Sequence, residues 1–158
     1  MKRITFLHKL YQEGKLSEVE PSEEIKAAYL QKSGKSLSSA KALFKIGNLE
    51  DSVALAYYAM YHCLLALLFR AGIKCENHVA AIILIKRVFG IANAAISKAK
   101  SERIDKQYYV DFNVTELETS ESIKIAEEFV ADLTDFIEKL TEDNIRTYRE
   151  DALKLMRG

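Results

Sequence analysis

From Val53 to Phe69 the chain runs for 17 residues, VALAYYAMYHCLLALLF, without one charged side chain, yet three tyrosines and His62 stand at its centre. A run of that length is at the lower margin for crossing a bilayer, which takes about 20 residues. Its small residues, Ala54, Ala56, Ala59 and Ala66, and the imidazole in its middle suit a helix wrapped by other helices. It is therefore expected to be the central helix of a bundle, touched by neighbours on most of its circumference, and no membrane is expected as a partner. A chain of 158 residues with 49% apolar content can surround one such helix but is short for two cores.

The rest of the chain supplies the surround. One proline and six glycines punctuate it, and nearly every segment between them has helical period. Ser22 can cap a helix whose first turn carries Glu23 and Glu24, where carboxylates meet the positive end of the helix dipole. That helix is expected to reach KIGN, with Gly34 as a candidate kink. Asn48 is a candidate cap for the apolar helix, and Gly72 stops it. Asn77 is a candidate cap for HVAAIILIKRVF, which Gly90 interrupts before a short helix through IANAAISKA. SERIDKQYYVDFNV is the least periodic stretch and reads as a short helix or an ordered loop. From Ser120 onward, Ile123, Ala126, Phe129, Val130, Leu133, Phe136, Ile137 and Leu140 recur every three or four residues opposite an acidic face. A last helix, Asn144 to Met156, reads as an extension or a frayed end. The expected fold is all-α, an antiparallel bundle of about five helices with strands hard to find. Residues 1–21 form a tail or short helix, 22–141 the bundle and 142–158 a C-terminal helical extension.

Several function classes drop out on composition. Twenty-three basic and 23 acidic side chains sum to no net charge, so a clamp that holds nucleic acid by its overall charge is not expected. Charge is nonetheless uneven: residues 75–110 hold 6 basic and 3 acidic side chains, whereas 111–143 hold 2 and 11. Either these are solvated helix faces, or they are a basic edge for a phosphate and an acidic edge for a basic partner. Cys63 and Cys75 form no CxxC and read as reduced thiols of a cytoplasmic protein. MKRITFLHKLYQEGK lacks the apolar core and cleavage site of a secretory leader. No glycine-rich phosphate loop, GxSxG elbow or HExxH occurs, and His8, His62 and His78 share no metal-ligand spacing, so neither a metal nor another cofactor is expected.

On a helix, Leu55, Tyr58, His62 and Ala66 lie near one face, with Tyr57 and Tyr61 beside them. Hydroxyls one turn from an imidazole can satisfy it, so the buried polar stripe need not be costly, and a purely structural His62 is one reading. The segment LSSAKALFKIGNLEDSVALAYYAMYHCLLALLFRAGIKCENH also resembles the core of the HEPN domain family (higher eukaryotes and prokaryotes nucleotide-binding), in its compact prokaryotic branch. The resemblance rests on the spacing of Ala40 and Leu43, the turn at Gly47 and Asn48, the YYAMFH-like motif Tyr57 to His62, and a second histidine, His78, after the loop. RIDKQYYVDF and AEEFVADLTDFIEKL resemble the closing loop and last long helix of the family, so the likeness covers about Glu23 to Leu140.

That resemblance implies an antiparallel bundle, usually a homodimer, often paired with a minimal nucleotidyltransferase as a toxin and antitoxin. It also implies, for many members, metal-independent ribonuclease activity from an arginine set shortly before a histidine. His62 would then be the catalytic acid or base at the ribose 2′-hydroxyl, with a guanidinium stabilising phosphate charge. At the expected arginine position, seven before His62, this chain has Leu55. Arg70, Lys74 or Arg87 are candidates for a relocated cation; Arg3 to His8, RITFLH, matches the spacing but lies outside the motif. Three functions follow: a HEPN-type module that binds a nucleotide or RNA through Tyr58, His62, Asn77 and His78, an active ribonuclease toxin using His62, or a structural helical dimer.

Overall fold

Ser22 and Asn48 open two long helices that pair along their whole length. In the computed structural model, which describes residues 2–108 and 113–158 with side chains over 6–104 and 113–158, α2 (Glu23–Lys45) and α3 (Leu49–Arg70) form an antiparallel hairpin. Ser22 Oγ accepts from the Ile25 N–H at 3.0 Å as the sequence suggests. Asn48 occupies the cap position of α3 without a side-chain cap bond. Gly34 leaves α2 continuous. Two buried hydroxyls pin the hairpin: Ser33 Oγ donates to the Ala59 carbonyl at 2.6 Å, and Ser52 Oγ to the Ala40 carbonyl at 2.7 Å. Each supplies a polar contact in a place that water does not reach.

α3 is the central helix. It packs on α2, on α4 (His78–Arg87), on α5 (Ala94–Tyr108) and on α6 (Glu116–Glu138). It is long and apolar enough to cross a membrane, but 78% of its most apolar window is buried inside the fold. The all-α class thus holds, with seven helices among the described residues where the sequence suggested about five. α1 (Lys2–Gln12) stands where a tail or short helix was expected, and Gly90, with φ +68°, separates α4 from α5 as the sequence suggests. α5 is longer than the periodicity indicates and carries SERIDK in helical form.

One expectation is corrected. Two three-residue strands, β1 (Leu16–Glu18) and β2 (Ile73–Cys75), pair antiparallel in register Leu16 to Cys75 and Glu18 to Ile73. They are too short to show a period, and their apolar members, Leu16, Ile73 and Cys75, are buried because the chain before α2 folds back over the end of α3. Leu7 and Leu10 of α1 are buried too, and α1 lies against α7 (Glu142–Arg157). α7 is held by a capping box, with Thr141 and Asn144 satisfying each other's backbone N–H, and it buries Ile145, Ala152 and Met156. Arg70, buried at the end of α3, ties this region together by pairing with Glu23 at 2.6 Å and Glu142 at 3.0 Å.

Candidate functional site

From Ser52 to Arg70 every residue of α3 is buried except four: Leu55, Tyr58, His62 and Phe69. Spacings of three, four and seven residues put those four on one narrow stripe. The apolar helix is therefore wrapped on all sides but one, and His62 stands in the middle of the open strip. α2 flanks it on one side. Tyr29 stacks on Phe69 with centroids 5.4 Å apart and lies 6.1 Å from the His62 ring, and Ser36 Oγ is 3.4 Å from His62 Nδ1, a long contact. Among the described residues His62 has no other hydrogen bond.

α5 flanks the other side through Arg103. Its guanidinium sits 5.4 Å from the ring centroids of both Tyr57 and Tyr58, and Nη1 donates to Tyr58 Oη at 3.3 Å. Tyr58 in turn stacks 6.0 Å from His62. A cation, a phenol and an imidazole thus stand in one row. Sequence reasoning did not find Arg103, because SERIDK shows no helical period and only the helix places its side chain over the tyrosines. Of the cations considered in advance, Arg70 is taken by Glu23 and Glu142, and Lys74 pairs with Glu76 at 3.7 Å. Arg87 is exposed at the end of α4. Arg3 and residues 105–112 of RIDKQYYVDF lie outside the described side chains; His8 is bonded to the Met156 carbonyl at 2.9 Å, where it joins α1 to α7.

His78 joins the group from α4. Its ring stacks on Tyr61 at 3.8 Å, and Nδ1 shares a 2.7 Å hydrogen bond with Tyr57 Oη. Burial pushes the phenols of Tyr57 and Tyr61 well above their ordinary range, so both keep their protons at neutral pH. Asn77, by contrast, is turned inward to its own helix: Oδ1 accepts from the Ala80 N–H at 2.9 Å. Of the four residues picked out from sequence, the fold brings Tyr58, His62 and His78 into one cluster and uses Asn77 as the cap that starts α4 beside it.

Electrostatics keep both imidazoles neutral. Burial lowers the pKa of His62, and Lys32 adds to it; burial also lowers that of His78, followed by Arg103, Lys100 and His62. A neutral imidazole can accept a proton, and a neighbouring guanidinium can hold an anion. Behind Tyr57, between α3, α5 and α6, lies a cavity of about 390 Å³ with an apolar floor and a rim of Glu102, Glu118, Glu121 and Glu128. That rim is acidic, with Lys98 the one basic side chain among its lining residues. Among the described residues no group of three His, Cys, Asp or Glu is placed to hold a metal ion. Cys63 and Cys75 are free and buried, and burial raises both thiols to about 11, too high for a reactive thiolate at neutral pH.

A helical hairpin with a central tyrosine and histidine helix, closed by a long acidic helix, defines a small helical-bundle domain. The HEPN domain model matches residues 27–140, and the chain belongs to the HEPN domain family. It is also 44% identical over 55 residues to the UPF0332 protein PH1297 of Pyrococcus horikoshii. That match covers 35% of this chain and 36% of the relative's length, so the chain is compared with about a third of that protein.

Proposed function

We propose that this HEPN domain binds a nucleotide or RNA on the open stripe of α3, with bases stacked on Tyr58, Tyr29 and the imidazole of His62 and phosphate held by Arg103. The observation that carries the reading is the Arg103 guanidinium bonded to Tyr58 Oη and lying over two tyrosine rings beside the partly open His62. Aromatic faces next to a guanidinium are what a single-stranded nucleic acid needs, because every base has a face to stack and every nucleotide a charge to neutralise. The domain acts as a homodimer with α2 and α3 near its interface and the stripe of α3 left open in a cleft, and a minimal nucleotidyltransferase is its partner in a toxin and antitoxin pair. The same chemistry suits a cytoplasmic protein.

A second reading, a metal-independent ribonuclease, is favoured by the same cation. Neutral His62 takes the proton of a ribose 2′-hydroxyl, the 2′-oxygen attacks phosphorus, and the bond to the 5′-oxygen breaks to leave a 2′,3′-cyclic phosphate. Arg103 stabilises the charge on the phosphorane, and the departing 5′-oxygen takes up the proton that His62 acquired from the 2′-hydroxyl, directly or through a water, which returns His62 to its neutral form. Leu55 at the family's arginine position argues against this step in its usual form. The test compares wild type with His62→Ala and Arg103→Ala for RNA affinity and for cleavage in the presence of a chelator, with light scattering for the dimer. Weaker RNA binding by both variants is expected. Unchanged binding by His62→Ala with a lower melting temperature would make the histidine structural and end the proposal.

A further inference from the structure

The basic part of the chain is more sharply drawn than its average suggests. Residues 77–101 carry Lys86, Arg87, Lys98 and Lys100 and not one acidic side chain. Where α4 meets α5, this stretch folds into a pocket of about 290 Å³. One wall is a single face of α4, with Val79, Ile82 and Ile83 apolar and Lys86 at its end. The other wall holds donors, Asn93, Ser97 and Lys100, spaced four and three residues apart. Asn93 Nδ2 donates to the Ile82 carbonyl at 2.9 Å, which fixes the two walls to each other. No carboxylate lines the pocket, in contrast with the cavity behind Tyr57. Lys98, which lines that acidic cavity, pairs with Glu102 at 3.9 Å.

The pocket neighbours the cluster already described along both helices. Val79, which lines the pocket and is 46% exposed, directly follows His78 in the chain. Lys100 and Arg103 lie three residues apart on α5, about 4.5 Å along the helix axis and on neighbouring faces. Lys100 also bears on the charge of the His78 imidazole, so the two are within electrostatic reach. Apolar wall, hydrogen-bond donors and two ammonium groups together match a ribose and its phosphate. With Arg103 beside the first nucleotide, a second cationic pocket one step along α5 suits a ligand that carries a second phosphate.

We infer that the pocket between α4 and α5 is a second subsite for single-stranded RNA, taking the ribose and phosphate of the nucleotide next to the one stacked at Tyr58 and His62. The inference rests on the reading of that cluster as an RNA site, and names its ligand as a polynucleotide. Lys86 is exposed and Lys100 half-buried, so replacing them leaves the core intact.

The experiment measures binding of labelled RNA oligomers of about 4–16 nucleotides, the span of known single-strand sites, and of uridine monophosphate. Wild type is compared with Lys86→Gln/Lys100→Gln and, separately, Ser97→Glu, each checked by thermal melting. Wild type should bind the oligomer more tightly than the mononucleotide. The double variant should lose roughly ten-fold in oligomer affinity, and the slope of log K against log salt should shrink by about 1.4, while mononucleotide binding stays the same. Ser97→Glu should show the same selective loss. If wild type binds both ligands equally, or the variants keep the oligomer affinity and salt slope, the pocket is not a subsite although the cluster remains a nucleotide site. If wild type binds neither ligand, the cluster reading itself fails and this inference with it.

Discussion

Replacing Gly72 by alanine tests how the strand pair and α4 are held beside the site. Gly72 has φ +79°, a left-handed conformation that costs an alanine about 1–2 kcal/mol. A methyl group there would also lie 2.6 Å from the Val19 carbonyl oxygen, 2.7 Å from Arg149 Nε and 3.1 Å from Pro21 Cγ. Arg149 can swing aside, but the Val19 carbonyl is backbone, so β1 must move. Two bonds are then at risk: Val19 N–H to the Gly72 carbonyl at 2.9 Å, and Arg149 Nη2 to the Val19 carbonyl at 2.8 Å, each worth about 1 kcal/mol. The expected loss is about 3–4 kcal/mol, or roughly 10 °C in melting temperature for a chain of this size. Gly90→Ala is the internal control, because its φ of +68° is similarly left-handed while nothing lies within 4 Å of the added methyl; it should cost only about 1–2 kcal/mol. Urea unfolding of both variants measures the difference. A Gly72→Ala loss within about 0.5 kcal/mol of the Gly90→Ala loss would show that the close packing of β1 on the end of α3 contributes nothing. Because β2 ends just before Asn77 and His78, the Gly72 variant should also perturb the His78 ring resonances, whereas the Gly90 variant should leave them in place.

The depressed histidines predict a pH dependence: with folded pKa values below the ordinary 6.5, His62 and His78 bind fewer protons folded than unfolded, so stability is full above about 6.5 and falls as the pH drops below it. Urea midpoints measured between neutral pH and about pH 5 should decline, and Lys32→Gln should raise the His62 pKa seen by NMR; a flat profile with ordinary histidine titration would refute the burial argument. Leu55 is half-buried on the open stripe one turn before Tyr58, so Leu55→Arg should add a second guanidinium to the groove and give or increase cleavage of RNA in a chelator. A well-folded Leu55→Arg protein with no such gain would mean that more than one residue separates this site from a nuclease.

The run Val53–Phe69 determined a great deal without any coordinates. A helix with no charge over so many residues has to be surrounded, and caps such as Ser22 and Asn77 are local events decided by side chain and backbone within three residues. The hairpin of α2 and α3, the long amphipathic α6 and the tyrosine and histidine stripe were legible for that reason. Tertiary structure alone decided the rest. Leu16 pairing with Cys75, and His8 reaching Met156, join positions far apart in the chain, and three-residue strands carry no period by which to foresee them. Arg103 is the clearest case: its stretch has no pattern of its own, and it becomes the site's cation only because α5 packs on α3 and lays the guanidinium across Tyr57 and Tyr58. Local chemistry fixes which residues are helical and which are capped; which cation meets which ring is settled by how the helices pack, and that depends on every core contact at once.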